Sequence, residues 1–164
     1  MTMEQAIITW IHLVSAAIWV GGGLFLGVVL APILKKTSMS LQERISLMVR
    51  VGRRFNRIAV PSLIILIGTG LYNSHQLLSK PELLFGTSYG EFLVIKIILV
   101  IAVIITFLVH VRIIRKDVED QIMSGEMPEH QIQKLRKKII ILGEIISVIS
   151  VAILFFAALL DAGV

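Results

Sequence analysis

The sequence predicts an all-α integral membrane protein: a four-helix bundle with N and C termini outside and two basic cytoplasmic loops. Three observations carry that expectation. Hydrophobic residues make up 56% of the 164, charged residues only 16%, and the mean hydropathy is +0.89, whereas a soluble domain is usually about a quarter charged. Four stretches are long and nearly free of charge, and a hydrocarbon core of about 30 Å needs roughly 20 such residues in a helix. The Lys and Arg residues gather in two of the segments that join those stretches. The composition also excludes disorder, because a disordered chain carries far less apolar surface. Cysteine is absent, which removes disulfides, thiolate metal sites, iron–sulfur clusters and cysteine catalysis.

The spans are expected at about residues 6–34, 58–79, 91–112 and 139–160 of one domain covering 1–164. The first holds no charge between Glu4 and Lys35. It lacks a basic leader and is about twice as long as the apolar region of a signal peptide, so it reads as a span. Ser40-Leu41-Gln42-Glu43 has the form of a capping box. Leu41, Ile45, Met48 and Phe55 then recur near helical spacing, which predicts an amphipathic surface segment leading into the second span. The third span is broken only by Lys96 and the fourth only by Glu144. Ser124-Gly125-Glu126-Met127-Pro128 between them is turn chemistry, so these spans are expected to project into the cytoplasm as a long helical hairpin.

Seven basic residues lie between the first two spans: Lys35, Lys36, Arg44, Arg50, Arg53, Arg54 and Arg57. Seven more lie between the last two: Arg112, Arg115, Lys116, Lys134, Arg136, Lys137 and Lys138. The other side holds Lys80 alone. The positive-inside rule therefore puts both rich loops in the cytoplasm of a multi-pass plasma-membrane protein. Such charges also lie against anionic lipid headgroups, so the net charge of +5 requires no nucleic acid.

Ionisable side chains inside a span mark candidate sites, because lipid gives them no partner. At helical rise His12 lies roughly 9 Å, Lys96 roughly 7 Å and His75 roughly 6 Å from the outer face, one shared level. His110 and Glu144 form a second level in the inner leaflet. Helical phase places His12, Ala16, Trp19, Gly23 and Gly27 on one stripe of span one, and Pro61, Gly68, Tyr72 and His75 on one of span two. Lys96, Val103, Phe107 and His110 share a stripe of span three, and all three stripes are expected to face the bundle interior. The pair Gly23 and Gly27 is expected to admit a neighbouring helix closely. Trp10, Tyr72 and Tyr89 suit an aromatic belt. Candidate ligand-binding residues are thus His12, His75, Lys96, Trp19 and Tyr72, with His12 and His75 as metal ligands and His110 with Glu144 as an inner-leaflet polar site. Met123, Met127 and His130 have the spacing of a soft Cu(I) site, against ordinary loop packing. No catalytic residue is assigned, since no nucleophile–base pair, phosphate loop or nucleotide fingerprint occurs.

Several of these pieces resemble a known family. His12-x6-Trp19-x-Gly21-Gly22, Arg54-Phe55-x-Arg57, Gly86-Thr87-Ser88-Tyr89-Gly90-x5-Lys96 and a lone Glu144 look like the copper-resistance protein D (CopD) family. The resemblance implies a membrane protein associated with copper uptake or resistance, often beside a periplasmic copper-binding partner. The HemJ-type protoporphyrinogen oxidases are similar in the same places, which implies a four-span, haem-binding protein with a functional histidine in span one, matched by His12, and a lysine in span three, matched by Lys96. Here Leu142-Gly143-Glu144 stands in place of their Asn-Glu-x-Pro motif.

Three functions follow as alternatives. Cu(I) favours sulfur ligands, yet none of the six methionines lies in a span core, so copper would be held by imidazole, chiefly His12 and His75, for uptake or delivery. Lys96 and Glu144 would then set local charge or proton coupling. Haem b is the second reading, with the two histidines as axial ligands and, if anything is catalysed, membrane oxidoreduction. The third is an accessory subunit without chemistry of its own. Copper handling takes precedence because that resemblance is longest, and pairing with a second copy or with other membrane subunits stays open.

Overall fold

The computed structural model describes residues 2–163, and they are helical almost throughout, with no strand among them. Helix α1 spans Met3–Lys36. Thr2 opens it with a capping box: its hydroxyl accepts the Gln5 N–H at 3.2 Å, and Gln5 Oε1 accepts the Thr2 N–H at 3.3 Å. Two stretches of α1 widen into π-helical turns, Ala17–Gly21 and Phe25–Leu30. Pro32 accounts for the second, since it offers no N–H to the carbonyl four residues back and its ring crowds that carbonyl.

Helix α2 is Leu41–Leu78, 38 residues, or about 57 Å at helical rise. The surface segment and the second span are therefore one continuous rod, longer than a bilayer core. Its capping box forms as the sequence indicates, with the Glu43 N–H on Ser40 Oγ at 3.2 Å and the Ser40 N–H on Glu43 Oε2 at 2.8 Å. Beside Pro61, the Ser62 hydroxyl donates to the Ile58 carbonyl at 2.9 Å. A short helix α3, Pro81–Gly86, leads to α4, Ser88–Ile113. The Gly86-to-Gly90 motif is the start of that span: Thr87 is extended, and its hydroxyl accepts the Gly90 N–H at 3.1 Å. Helix α5, Lys116–Met123, and helix α6, Glu129–Ala162, complete the chain. Gly163 closes α6 in a left-handed conformation, φ 72°.

The most extensive packing joins α1 to α2 and α4 to α6. Four helices are long and apolar enough to cross a membrane. Trp10, Val28, Ile98, Ile105, Val148 and Phe155 stand exposed on the outside of the bundle, where lipid rather than water suits them. Mid-bundle, Trp19, Val20, Ala59, Val103 and Phe107 form one core cluster. At the end bearing the basic loops, Ile45, Val49, Ile114, Ile122, Ile132 and Ile139 form a second.

The projecting hairpin forms on one side only. Helix α6 runs on as a single rod, but the third span ends at Ile113, and α5 turns aside to pack on α2. Two interactions enforce the break. Ile114 drops into the second core, and Glu119, only 5% exposed, accepts Arg50 Nε and Arg53 Nη2, each at 2.7 Å.

The close helix approach also falls one residue away from the expected pair. A Cβ at Gly22 would run into the Phe55 ring, whereas nothing lies within 4 Å of a Cβ at Gly27 and only Ser147 Oγ, at 4.0 Å, meets one at Gly23. Gly22→Ala is thus expected to destabilise the protein by about 1–3 kcal/mol, the usual penalty of overpacking. Gly27→Ala is expected to stabilise it by about 0.5–1 kcal/mol through helix propensity alone. Thermal unfolding of both variants in one detergent checks the opposite signs.

Candidate functional site

Each polar level is built on helix phase. On α1, His12 is half-buried and turned toward α2, where its Nδ1 lies 2.6 Å from Thr69 Oγ1. The Thr69 hydroxyl itself donates to the Ile65 carbonyl at 2.7 Å. With that hydrogen engaged, the oxygen serves His12 as acceptor. Nδ1 therefore carries the ring proton and Nε2 is left with a free lone pair. Gly70 faces the ring edge, with His12 Cε1 3.5 Å from where its Cβ would stand. Lys96 is half-buried on α4. Of the three residues assigned to one level, His12 and Lys96 are thus half-buried.

His75 stands elsewhere. It is exposed near the end of α2, with its Nδ1 2.7 Å from the Tyr72 carbonyl and its ring 5.8 Å from that of Tyr72. Thr69, which marks the level of His12, lies six residues earlier, roughly 9 Å along the helix. Tyr72 is exposed too, and its hydroxyl donates to Glu4 Oε1 at 3.3 Å, tying the free ends of α1 and α2. The reason is phase. The stripe Pro61, Gly68, Tyr72 and His75 does not face the interior; Ala59 and Ser62, 0% and 4% exposed, with Leu66 and Thr69 make the inward face. The stripes of spans one and three do point inward, as buried Trp19, Val103 and Phe107 show.

Trp19 sits at the centre of the bundle. Its Nε1–H donates to Ser150 Oγ on α6 at 3.0 Å, and its ring meets Phe107 edge-on at 4.9 Å. This buried group separates the two polar levels. Toward the basic loops, a cavity of about 550 Å³ opens between α1 and α6, and both His110 and Glu144 line it, together with Asn56 and Ser147. The inner pair therefore shares one space. His110 Nδ1 is buried without a hydrogen-bond partner. Met123 is exposed on α5, and among the described residues no group of three or more His, Asp or Glu is arranged to hold a metal ion.

The sequence reading missed Thr69, Ser150, Glu119, Asn56 and Ser147. Thr69 was within reach, since a hydroxyl between Gly68 and Gly70 has room on both sides for a partner from another helix.

Four helices long and apolar enough to cross a membrane define a multi-pass membrane protein. The chain belongs to the copper resistance protein D (CopD) family, whose model matches residues 49–160. The match leaves α1 up to His12 and Trp19, and on to Lys36, outside it. The chain is also similar to an uncharacterized protein of Aquifex aeolicus (strain VF5), 33% identical over 96 residues. That alignment takes in 58% of this chain and 65% of the relative, so the chain matches under two thirds of the curated relative's length. No solved structure matches.

Proposed function

We propose that this membrane protein takes up or delivers copper at the end of the bundle that carries both termini. In that reading the basic loops lie in the cytoplasm of the cell membrane, as the positive-inside rule favours, and the His12 level opens toward the outside. The observation that carries it is His12 itself: a metal-binding histidine characteristically donates its other ring N–H to a fixed partner, and Thr69 is such a partner at 2.6 Å. Exposed His75, three residues from the end of α2, is the residue that first meets the ion. Lys96, expected from the sequence at the depth of His12, adds positive charge at that level, which weakens retention and favours release. One or two imidazoles without sulfur bind copper loosely compared with a thiolate site, and that suits passage rather than storage. The family supports the metal, and the donor set supports transient binding.

The test is copper content of the purified protein, by elemental analysis after equilibration with Cu(I) and Cu(II). Wild type is expected to retain copper and His12→Ala to lose most of it, with His75→Ala slowing loading more than it lowers the final amount. Metal-free wild type overturns the proposal. A Soret band that vanishes in His12→Ala would assign haem instead, and a colourless, metal-free protein with stoichiometric partners would assign an accessory subunit.

A further inference from the structure

The cavity near the basic loops takes no part in holding copper at the His12 level. Its volume, about 550 Å³, falls inside the roughly 300–1,000 Å³ of small-molecule sites. Gly23 and Gly27 on α1 and Gly143 on α6 hollow out its walls. The rings of Trp19 and Phe107 close it toward the bundle centre. At its rim stand Val28 and Val148, each 69% exposed, so it opens sideways to the acyl chains rather than to water.

Two polar groups of its lining have no partner, His110 Nδ1, which is buried, and Glu144, which is exposed on its open side. His110 Nδ1 is buried and unbonded. The Glu144 carboxylate makes neither a hydrogen bond nor an ion pair among the described residues, and no Lys or Arg lines the cavity. Glu144 lies five residues past Ile139, roughly 8 Å into the apolar stretch at helical rise. A carboxylate facing hydrocarbon at that depth is expensive unless a counter-charge meets it.

We propose that this cleft binds a lipophilic organic cation entering from the bilayer, with Glu144 as its counter-ion and the Trp19, Phe107 and Phe55 rings against its apolar body. The carboxylate repels anionic amphiphiles such as fatty acids. A bare metal ion needs more ligands than Glu144 and His110 supply, since no cluster of three or more His, Asp or Glu is present among the described residues. A cation with its charge spread over aromatic groups meets every lining element: the charge pairs with Glu144, the rings take the cation–π and stacking contacts, and the small residues leave the volume.

The probe is tetraphenylphosphonium, titrated calorimetrically into metal-free wild-type protein in detergent, which keeps this result separate from the copper test. Saturable binding at one site per chain is expected. Glu144→Gln should weaken it at least about tenfold, the equivalent of one charge-assisted contact. Ser147→Trp, which fills the cavity, should abolish it. Non-saturating partition, equal binding by wild type and Glu144→Gln, or binding confined to a dimeric fraction overturns the proposal; the last would make the cleft a contact between two copies. Glu144→Gln removes a charge from an apolar span and leaves every described packing contact in place, so loss of fold does not confound it.

Discussion

Glu119→Ala is expected to destabilise the chain by about 2–3 kcal/mol. The carboxylate is 6% exposed and holds two guanidinium groups from α2, Arg50 and Arg53, each at 2.7 Å. Removing it strips both charge-assisted bonds at once. Arg53 suffers more than Arg50: its side chain is 32% exposed against 59%, and its Nη1 is already buried without a partner. Water screens Arg50, so Arg50→Ala should cost only about 0.5–1 kcal/mol. For a chain of this size each kcal/mol moves the melting temperature by roughly 2–4 °C, so Glu119→Ala should lower it by about 4–12 °C in detergent. Hydrogen exchange should locate the loss in α5 and the first turns of α2, with the mid-bundle helices still protected. Unchanged protection of α5 in Glu119→Ala would show that the apolar contacts of Ile114 and Ile122 hold it there alone.

That substitution also marks where the sequence stopped being readable. Span number and approximate span limits follow from hydropathy, because a bilayer imposes length and apolarity whatever the neighbours are. Which face of each span turns inward does not follow as easily. In water the exposed face of a helix is polar and gives the pattern contrast; in lipid the exposed face is as apolar as the buried one. On α1 and α4 the ionisable residues happen to share a face with Trp19, Val103 and Phe107, and the stripes drawn through them point inward. On α2 the stripe drawn through His75 follows a residue that has already left the packed bundle, while the inward face is marked by uncharged Ala59, Ser62 and Thr69. Glu119 was hidden among loop charges. Its sign was its place three residues before Ile122, on the apolar face of a short helix.

The buried Trp19 and Phe107 rings stand between the two polar levels. Trp19, bonded to Ser150 and set edge-on to Phe107, fills the centre of the bundle between His12 on one side and His110 with Glu144 on the other. The same indole forms the floor of the inner cavity. Any ion passing the full thickness of the bundle must displace that ring and break its 3.0 Å bond to Ser150. On the two proposals made above, this arrangement suits two separate sites rather than one continuous path, the upper chosen by imidazole chemistry and the lower by a single carboxylate without a partner among the described residues.

Thr69→Val is expected to weaken copper binding about 10–100-fold, the usual effect of losing the outer partner of a metal-binding histidine. The substitution preserves volume and removes only the hydroxyl. In the wild type that hydroxyl donates to the Ile65 carbonyl at 2.7 Å and accepts from His12 Nδ1 at 2.6 Å, which fixes both the ring angle and the tautomer that frees Nε2. Without it the proton is free to move to Nε2, the ring is free to turn about its side-chain bonds, and the Nδ1–H has no acceptor. Thr69→Ser keeps the hydroxyl and should keep affinity within a few-fold, so the pair separates hydrogen bonding from packing. Competition against a copper chelator measures both, and a melting curve for each confirms that the bundle is intact. Equal affinity in Thr69→Val and wild type would mean that His12 is held by helix packing alone, and that its closeness to Thr69 has no bearing on the metal.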